Sequence, residues 1–181
     1  MNQPVVLVLA SGRGERFIAS GGSGSKLQAS LGGKPVLERT LDAVRASGLP
    51  WHLEDAGHQG MGDSIAAGVR ATPDASGWLV LPGDLPLVRS ETLRAVAAAL
   101  ATHTIAVPHH HGQRGHPVGF AASCRDALSM LTGAQGAAAV VRAQPADAVV
   151  HLELDDPGIV TDIDTVQDLA EAERLLLTRQ P

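Results

Sequence analysis

Short apolar runs alternate along this sequence with stretches in which apolar residues recur every three or four positions. Residues 5–10 form a continuous apolar run rich in β-branched side chains and followed by Ser-Gly, a pattern typical of a strand buried on both faces. Residues 78–81 form a second such run, which Pro-Gly-Asp closes. Shorter runs predict further strands at residues 51–53, 104–107, 117–121 and 149–154.

The segments between these runs carry helical periodicity. A helix that Pro35 opens has Leu37, Leu41 and Val44 on one face. Ser90 is expected to cap a second helix through its hydroxyl. The remaining helices are predicted at residues 62–71, near 124–131 and 135–143, and after Thr165, where Asp168 completes a capping box.

Alternation of strands and helices predicts an α/β fold over residues 1–181 as a single domain. We expect three layers, Rossmann-like, with helices on both faces of a mostly parallel sheet. Ligands of such sheets bind at the carboxyl ends of the strands. The segments 11–26 and 82–86 both follow buried strands, so they are predicted to meet at that edge.

Composition narrows the class of protein. Hydrophobic residues make up 44% of the 181 residues, which is enough for a substantial core. The net charge of −5 argues against a nucleic-acid partner. The one cysteine, Cys124, excludes an intramolecular disulfide. The beginning of the sequence lacks the features of a signal peptide and no apolar run approaches the ~20 residues of a membrane span, so a cytoplasmic protein without a membrane partner is expected.

A glycine-rich loop follows the first strand and predicts a phosphate site. Residues 9–16 are Leu-Ala-Ser-Gly-Arg-Gly-Glu-Arg, and the loop continues through Gly-Gly-Ser-Gly-Ser to Lys26. Backbone amides after a strand can approach phosphate oxygens closely, and Arg13, Arg16 and Lys26 add positive charge. Neither a Walker A loop nor a dinucleotide fingerprint fits this spacing. The alternative is a flexible surface loop with solvated charges.

Two acidic segments are candidates for metal binding or for local turns. Asp84 stands in Leu-Pro-Gly-Asp-Leu-Pro at the end of a buried strand, where a lone carboxylate suits Mg²⁺ and could equally make a turn hydrogen bond. Asp162 and Asp164 precede the last helix and, in an extended chain, point to the same side. Gly62 and Ser64 lie in a glycine turn that starts a helix, where Asp63 or Ser64 could serve only as a cap.

The first loop resembles the signature of the MobA-like nucleotidyltransferases, Leu-Ala-Ala-Gly-x-Gly/Ser-x-Arg. The resemblance implies the nucleotide-diphospho-sugar transferase type of fold and catalytic roles for Arg16 and Lys26 on a triphosphate. Lys26 follows Arg16 by ten residues where the family has five, and Lys34 is the alternative. The resemblance also implies that Asp84 binds Mg²⁺ and is catalytic, and that a second Mg²⁺ ligand precedes the last helix. Of the two candidates there, Asp164 is favoured over Asp162 because it is nearer the helix. The nucleotide contacts that the resemblance implies come from Leu9, Ala10, Ser11, Gly12, Arg13, Gly14, Lys26, Gly62 and Ser64.

Two later segments are similar to the molybdenum cofactor cytidylyltransferase branch of that family. They are Gly-Gln-Arg-Gly-His-Pro-Val-Gly-Phe at residues 112–120 and Gly-Ala-Gln-Gly-Ala at 133–137, with Ala134 where the branch has Asp. The likeness implies CTP as the nucleotide, a molybdopterin acceptor and, as a partner, a molybdoenzyme or its chaperone. Acceptor contacts are then expected from Arg114, His116, Gln135 and Gly136.

Three rival functions remain open from the sequence. They are guanylyl transfer, cytidylyl transfer to a sugar-alcohol phosphate, and a non-catalytic module that binds a cofactor. The consecutive residues His109, His110 and His111 also invite a metal interpretation. Because neighbouring side chains of an extended chain alternate faces, three in a row are not expected to converge on one ion.

Overall fold

The computed structural model describes residues 2–179 and contains nine strands and seven α-helices in that range. The strands are β1 (Val5–Leu9), β2 (Ser30–Leu31), β3 (Lys34–Pro35), β4 (Trp51–Glu54), β5 (Gly77–Pro82), β6 (Ile105–His110), β7 (Gln113–Arg114), β8 (Val118–Ala121) and β9 (Val149–Glu153). The helices are α1 (Glu15–Ala19), α2 (Val36–Ser47), α3 (Met61–Ala71), α4 (Ser90–Ala99), α5 (Arg125–Ser129), α6 (Ala138–Arg142) and α7 (Val166–Thr178).

The central sheet is mixed and mostly parallel. Its order is β4-β1-β5-β8-β6, and β9 pairs with the opposite edge of β6. The short strand β7 pairs with the end of β6 on the same edge as β8. β1 pairs in parallel with β4 and β5, and β6 pairs in parallel with β9. β8 is antiparallel to both of its neighbours. The short strand β7 is antiparallel to β6. The predicted mostly parallel α/β sheet is therefore confirmed, with β7 and β8 as the exceptions in direction.

Apolar side chains fill a layer on each side of this sheet. Val5, Leu7, Trp78 and Val80 point to one face, toward α3, α5 and α6, whereas Val6, Val8, Leu79 and Leu81 point toward α2 and α4. This alternation explains why β1 and β5 are apolar at every position. A third cluster lies at the edge of the sheet, where α7 packs over the loop after β1; it contains Phe17, Leu27, Leu31, Ile163 and Ala172.

The capping predictions had different outcomes at two helices. At α7 the Thr165 hydroxyl accepts from the Asp168 amide and the Asp168 carboxylate accepts from the Thr165 amide, so the capping box is confirmed. At α4 the cap is Arg89 and not Ser90, and no side chain of α4 caps it. The buried carboxylate of Asp156 accepts from the Arg89 amide at 2.9 Å. This contact spans 67 residues of sequence, so a local pattern could not show it.

Other differences from the predicted elements lie at the ends of helices and in the loop after β1. The short helix α1 and the β2–β3 hairpin were not predicted, and α5 and α6 are shorter than the apolar pattern indicates. The chain turns between β6 and β7 at His111 and Gly112, which both have positive φ, 49° and 76°. Two such residues form the type I′ turn that suits a tight hairpin. No helix within residues 2–179 has the length and apolar character needed to cross a membrane.

Candidate active site

A cleft of about 500 Å³ opens at the carboxyl ends of β1 and β5. Five segments line it: the loop after β1, the turn after β5, the start of α3 with the residues before it, the β7 hairpin, and the stretch before α7. The lining residues are Leu9, Ser11, Gly12, Arg13, Lys26, Leu27, His58, Gln59, Gly60, Met61, Ser64, Pro82, Asp84, Leu85, Gln113, Arg114, His116, Ile159, Val160, Asp162 and Asp164.

Lys26 bridges two carboxylates at the floor of this cleft. Its Nζ lies 2.8 Å from Asp84 Oδ2 and 2.9 Å from Asp164 Oδ1. Arg16 reaches the other oxygen of Asp164, with Nη1 2.7 Å from Oδ2. The longer loop thus does return Lys26 to the carboxylates. Lys34, the alternative, pairs instead with Asp42 at 2.5 Å on the exposed surface of α2.

Backbone contacts hold Asp84 in place against the loop after β1. The Gly83 amide donates to the Leu9 carbonyl at 2.8 Å, and the buried Thr40 hydroxyl donates to the Gly83 carbonyl at 2.8 Å. The Ile163 amide donates to the Asp84 carbonyl at 3.0 Å, which ties the turn after β5 to the segment that carries Asp162 and Asp164. Residues from distant parts of the sequence therefore share one rigid support.

The charges in this cluster shift one another's pKa values. Burial alone would lower the pKa of Lys26, but the charges and hydrogen bonds of Asp84 and Asp164 outweigh burial and raise it above its usual value. The hydrogen bond from Lys26 lowers the pKa of Asp164. Burial, together with the negative charges of Asp84 and Asp164, raises the pKa of Asp162.

The same carboxylates suit a hard divalent cation. Asp84, Asp162 and Asp164 each present an oxygen atom, and these atoms all lie within 4.8 Å of one another. Asp84 Oδ1 is buried and finds no hydrogen-bond partner in the described part of the chain. An unpartnered buried carboxylate oxygen is costly unless a ligand satisfies it. Mg²⁺ and Mn²⁺ prefer such oxygen donors together with phosphate and water.

The loop after β1 brings its glycines and arginines to one side of the cleft. Gly14 has φ 64° and immediately precedes α1, a left-handed conformation that favours glycine. Ser11, Gly12 and Arg13 line the cleft. Arg16 does not line it; its side chain is 80% exposed and pairs with Asp164. Ala10 and Gly14 are not among the lining residues.

A second wall, which the sequence did not reveal in full, surrounds the start of α3. Glu54 is buried at the end of β4 and accepts hydrogen bonds from His52 Nε2 at 3.2 Å and His58 Nε2 at 3.0 Å. Burial favours a raised pKa for Glu54, but these bonds and the Ala56 amide outweigh it and lower the pKa. His58 then lines the cleft beside Ser64. A carboxylate at the end of a predicted strand was the available signal for this pair.

The remaining wall belongs to the β6–β7 hairpin and the residues after it. Arg114 and His116 both line the cleft, as does Gln113. His116 Nδ1 is buried without a hydrogen-bond partner in residues 2–179. Burial, followed by the positive charge of Arg114, lowers the pKa of His116. His116 therefore combines a side chain that lines the cleft with a buried nitrogen that no group among the described residues satisfies.

Besides Ala10, Gly14 and Arg16, three further candidate residues lie outside the lining. Gly62 is buried in α3, and its amide donates to the Gly133 carbonyl at 2.9 Å. Gln135 and Gly136 belong to the segment that packs on this end of α3, where Gly136 lies close to Met61. They support a wall of the cleft through these contacts and do not face its interior.

Known proteins resemble this chain both in sequence and in fold. Residues 43–149, more than half of the chain, match the MobA-like NTP transferase domain family. The bifunctional protein GlmU of Alkalilimnicola ehrlichii is 29% identical over 154 residues, a match that covers 71% of this chain. The chain spans only 31% of that relative's length, so GlmU contains much that this sequence does not.

Solved structures extend the likeness to nearly the whole chain. A nucleotidyl transferase from Methanothermobacter thermautotroptrophicus superimposes with a TM-score of 0.82 at 22% identity, covering 99% of this chain and all of that one. Rv0371c from Mycobacterium tuberculosis H37Rv, solved as a complex with manganese, gives 0.74 at 22% identity, with 96% and 99% covered. These neighbours confirm the nucleotide-diphospho-sugar transferase fold. The chain belongs to the MobA-like NTP transferase domain family.

Proposed function

We propose that this chain transfers CMP from CTP to a phosphorylated acceptor of the molybdopterin type in a Mg²⁺-dependent reaction that releases pyrophosphate. The observation that carries the proposal is the Lys26 bridge between Asp84 and Asp164, which lies in one cleft with the glycine loop Gly12–Arg13. Residues 1–181 act as one nucleotidyltransferase domain in this proposal.

The reaction is an in-line displacement at the α-phosphorus. A phosphate oxygen of the acceptor forms the new P–O bond while the bond to the bridging oxygen breaks and pyrophosphate leaves. The nucleophile is already ionised, so the protein needs no strong general base. Arg13, Arg16 and Lys26 neutralise charge on the triphosphate, and the backbone amides of the loop orient it. A divalent cation held by Asp84 and Asp164, with Asp162 beside them, supplies further neutralisation when bound.

The choice of CTP and of the acceptor rests on sequence resemblance. Ser11 stands where guanylyltransferases of this fold carry glycine, and the segment around Arg114 and His116 is similar to the cytidylyltransferase branch. Guanylyl transfer and transfer to a sugar-alcohol phosphate use the same cluster and remain the rival reactions. A silent binding module is the remaining alternative; it gives no reason for a lysine and two carboxylates to meet in the nucleotide cleft.

A comparison of the four nucleoside triphosphates tests the nucleotide. We expect CTP with Mg²⁺ to raise the melting temperature more than GTP, ATP or UTP, because a ligand that binds only the native state stabilises it by about 2.7 kcal/mol at a hundredfold excess over Kd. Pyrophosphate release is measured on the same samples with and without molybdopterin acceptors. A clear preference for GTP would overturn the cytidylyl assignment, and nucleotide binding without any pyrophosphate release would favour the silent module.

Substitutions on the hairpin wall test the acceptor site. Arg114→Ala and His116→Ala are expected to raise the acceptor KM, with a lower kcat as well if alignment suffers, because both residues line the cleft from a segment that is separate in sequence from the phosphate loop. Nucleotide affinity without acceptor should stay close to that of the wild type. Arg94→Ala, on the exposed side of α4, is the matched control. Loss of nucleotide binding with normal acceptor kinetics would place these residues at the nucleotide instead.

A further inference from the structure

Two histidines from adjacent parallel strands meet on the sheet edge farthest from β4. His109 of β6 and His151 of β9 have ring centroids 5.0 Å apart in an edge-on arrangement, and His109 Nε2 lies 2.9 Å from His151 Nδ1. His151 is exposed and His109 is half-buried, so water reaches the pair. Neither side chain lines the active-site cleft.

The β6–β7 turn fixes the orientation of His109. The Gly112 carbonyl lies 3.3 Å from His109 Nδ1, and because a carbonyl can only accept, Nδ1 carries the proton. Nε2 therefore presents its lone pair to His151. Metal-binding histidines commonly donate their other ring N–H to a backbone carbonyl in this way, which fixes the tautomer and the ring orientation.

Negative charge lies on the same side of the sheet. Glu153 is directly opposite His109 in the β6–β9 register and two residues beyond His151, so all three side chains share one face. The Glu153 carboxylate accepts from the Gly112 amide at 3.3 Å. Glu153 thus anchors the turn that orients His109 and lies on the same face of the sheet as the two imidazoles.

We propose that His109 and His151 form a binding site for a borderline divalent transition metal such as Zn²⁺, with water in the remaining coordination positions. Two imidazole nitrogens at tetrahedral angles and 2.0–2.1 Å from Zn²⁺ are about 3.3 Å apart, so the observed 2.9 Å needs to widen only slightly. On binding, the proton on His151 Nδ1 moves through water to the exposed Nε2, and both lone pairs then face the cation.

The proposed site uses one member of the histidine run at residues 109–111, although the three side chains do not converge on one ion. Of the three consecutive histidines, only His109 takes part, and its partner comes from another strand. His110 Nδ1 is occupied by the Leu154 carbonyl at 3.0 Å, and His111 lies in the turn. His109 is also opposite Arg114 in the hairpin, so a bound metal would stiffen the strand pair that carries Arg114 to the cleft. The metal site does not depend on the proposed nucleotide or acceptor.

Zinc titration of protein without an affinity tag tests this site. Excess Mg²⁺ is kept present to compete at the three active-site carboxylates, and Zn²⁺ binding is followed by competition with a chromogenic chelator. We expect the wild type to hold one Zn²⁺ that is sensitive to His109 and His151. Because loss of an outer-sphere partner alone typically weakens a metal site by about 10–100-fold, His109→Asn and His151→Asn should each lower the affinity at least about tenfold.

Matched substitutions and one spectroscopic readout make the result decisive. His103→Asn and His111→Asn change a half-buried and an exposed histidine outside the pair and should leave the affinity unchanged. Long-range ¹H–¹⁵N spectra of the imidazoles should show His151 changing tautomer on Zn²⁺ addition. The proposal is overturned if the wild type holds no Zn²⁺ under these conditions, or if His109→Asn and His151→Asn bind it as tightly as the two controls.

Discussion

Replacement of Asp84 by asparagine should lower the turnover of nucleotidyl transfer by about 10²–10³-fold while leaving the fold intact. Asp84 contacts Lys26 through Oδ2, and its other oxygen, Oδ1, is buried without a hydrogen-bond partner among residues 2–179. Asparagine keeps the shape of the side chain but removes the charge that both Lys26 and a divalent cation require. Because the backbone around Asp84 is held by Leu9, Thr40 and Ile163, the turn itself should survive.

The experiment compares kcat for pyrophosphate release with the melting temperature of the same preparations. Asp42→Asn is the matched control, because Asp42 also pairs with a lysine but lies on the exposed surface of α2. The same two measurements on Asp162→Asn and Asp164→Asn show how much each of the other two carboxylates contributes to turnover. Near-normal turnover in Asp84→Asn would remove Asp84 from the reaction, and a collapse of the melting temperature would assign it a structural role.

Replacement of Lys26 by methionine should affect both stability and activity. Methionine retains most of the apolar length but leaves Asp84 and Asp164 as neighbouring anions without their shared cation, and Lys26 is only 12% exposed. Loss of hydrogen bonds to charged, largely buried groups is expected to lower the free energy of unfolding by about 2–3 kcal/mol without metal. Turnover should fall by at least about 10²-fold, because the charge facing the triphosphate is lost.

Added Mg²⁺ distinguishes this explanation from simple damage to the loop. The cation can take the position that Lys26 occupies between the carboxylates, so Mg²⁺ should stabilise Lys26→Met more than it stabilises the wild type, as measured by denaturant unfolding with and without Mg²⁺. Lys34→Met should show neither effect, which also decides between the two lysines considered from the sequence. Equal Mg²⁺ effects on wild type and Lys26→Met would mean that lysine and metal do not compete for the carboxylates.

The buried strands were the most predictable part of the fold. β1 and β5 are apolar at every position because both faces of the central sheet are covered, and this composition marks them in the sequence. The direction of β8 was not predictable, since its pairing with β5 and β6 depends on the hairpin that reverses the chain at His111 and Gly112. The cap of α4 depends on Asp156, which lies far along the chain.

The residues of the candidate site divide in the same way into those that a local motif marks in the sequence and those that only the fold brings together. Arg13, Asp84 and Arg114 were recognisable because each stands in a local motif next to a strand, and all three line the cleft. The pairing of Glu54 with His58 was missed, because it forms only when the loop after β4 folds back over the strand end. Asp162 was placed second to Asp164 on proximity to the helix alone, whereas both line the cleft.

Lys26 is the counter-ion of Asp84 and Asp164 in this structure, and it therefore links the binding of metal to the binding of nucleotide. While Lys26 neutralises the two carboxylates it is not available to phosphate, and a divalent cation held by those carboxylates would leave the ammonium free for the triphosphate. Metal and nucleotide should then bind synergistically, each strengthening the other by the same factor. The ratio of the Mg²⁺ affinities measured with and without the triphosphate gives the coupling free energy between the two ligands. That coupling contains the direct contact between metal and phosphate and also the free energy of breaking the Lys26 bridge.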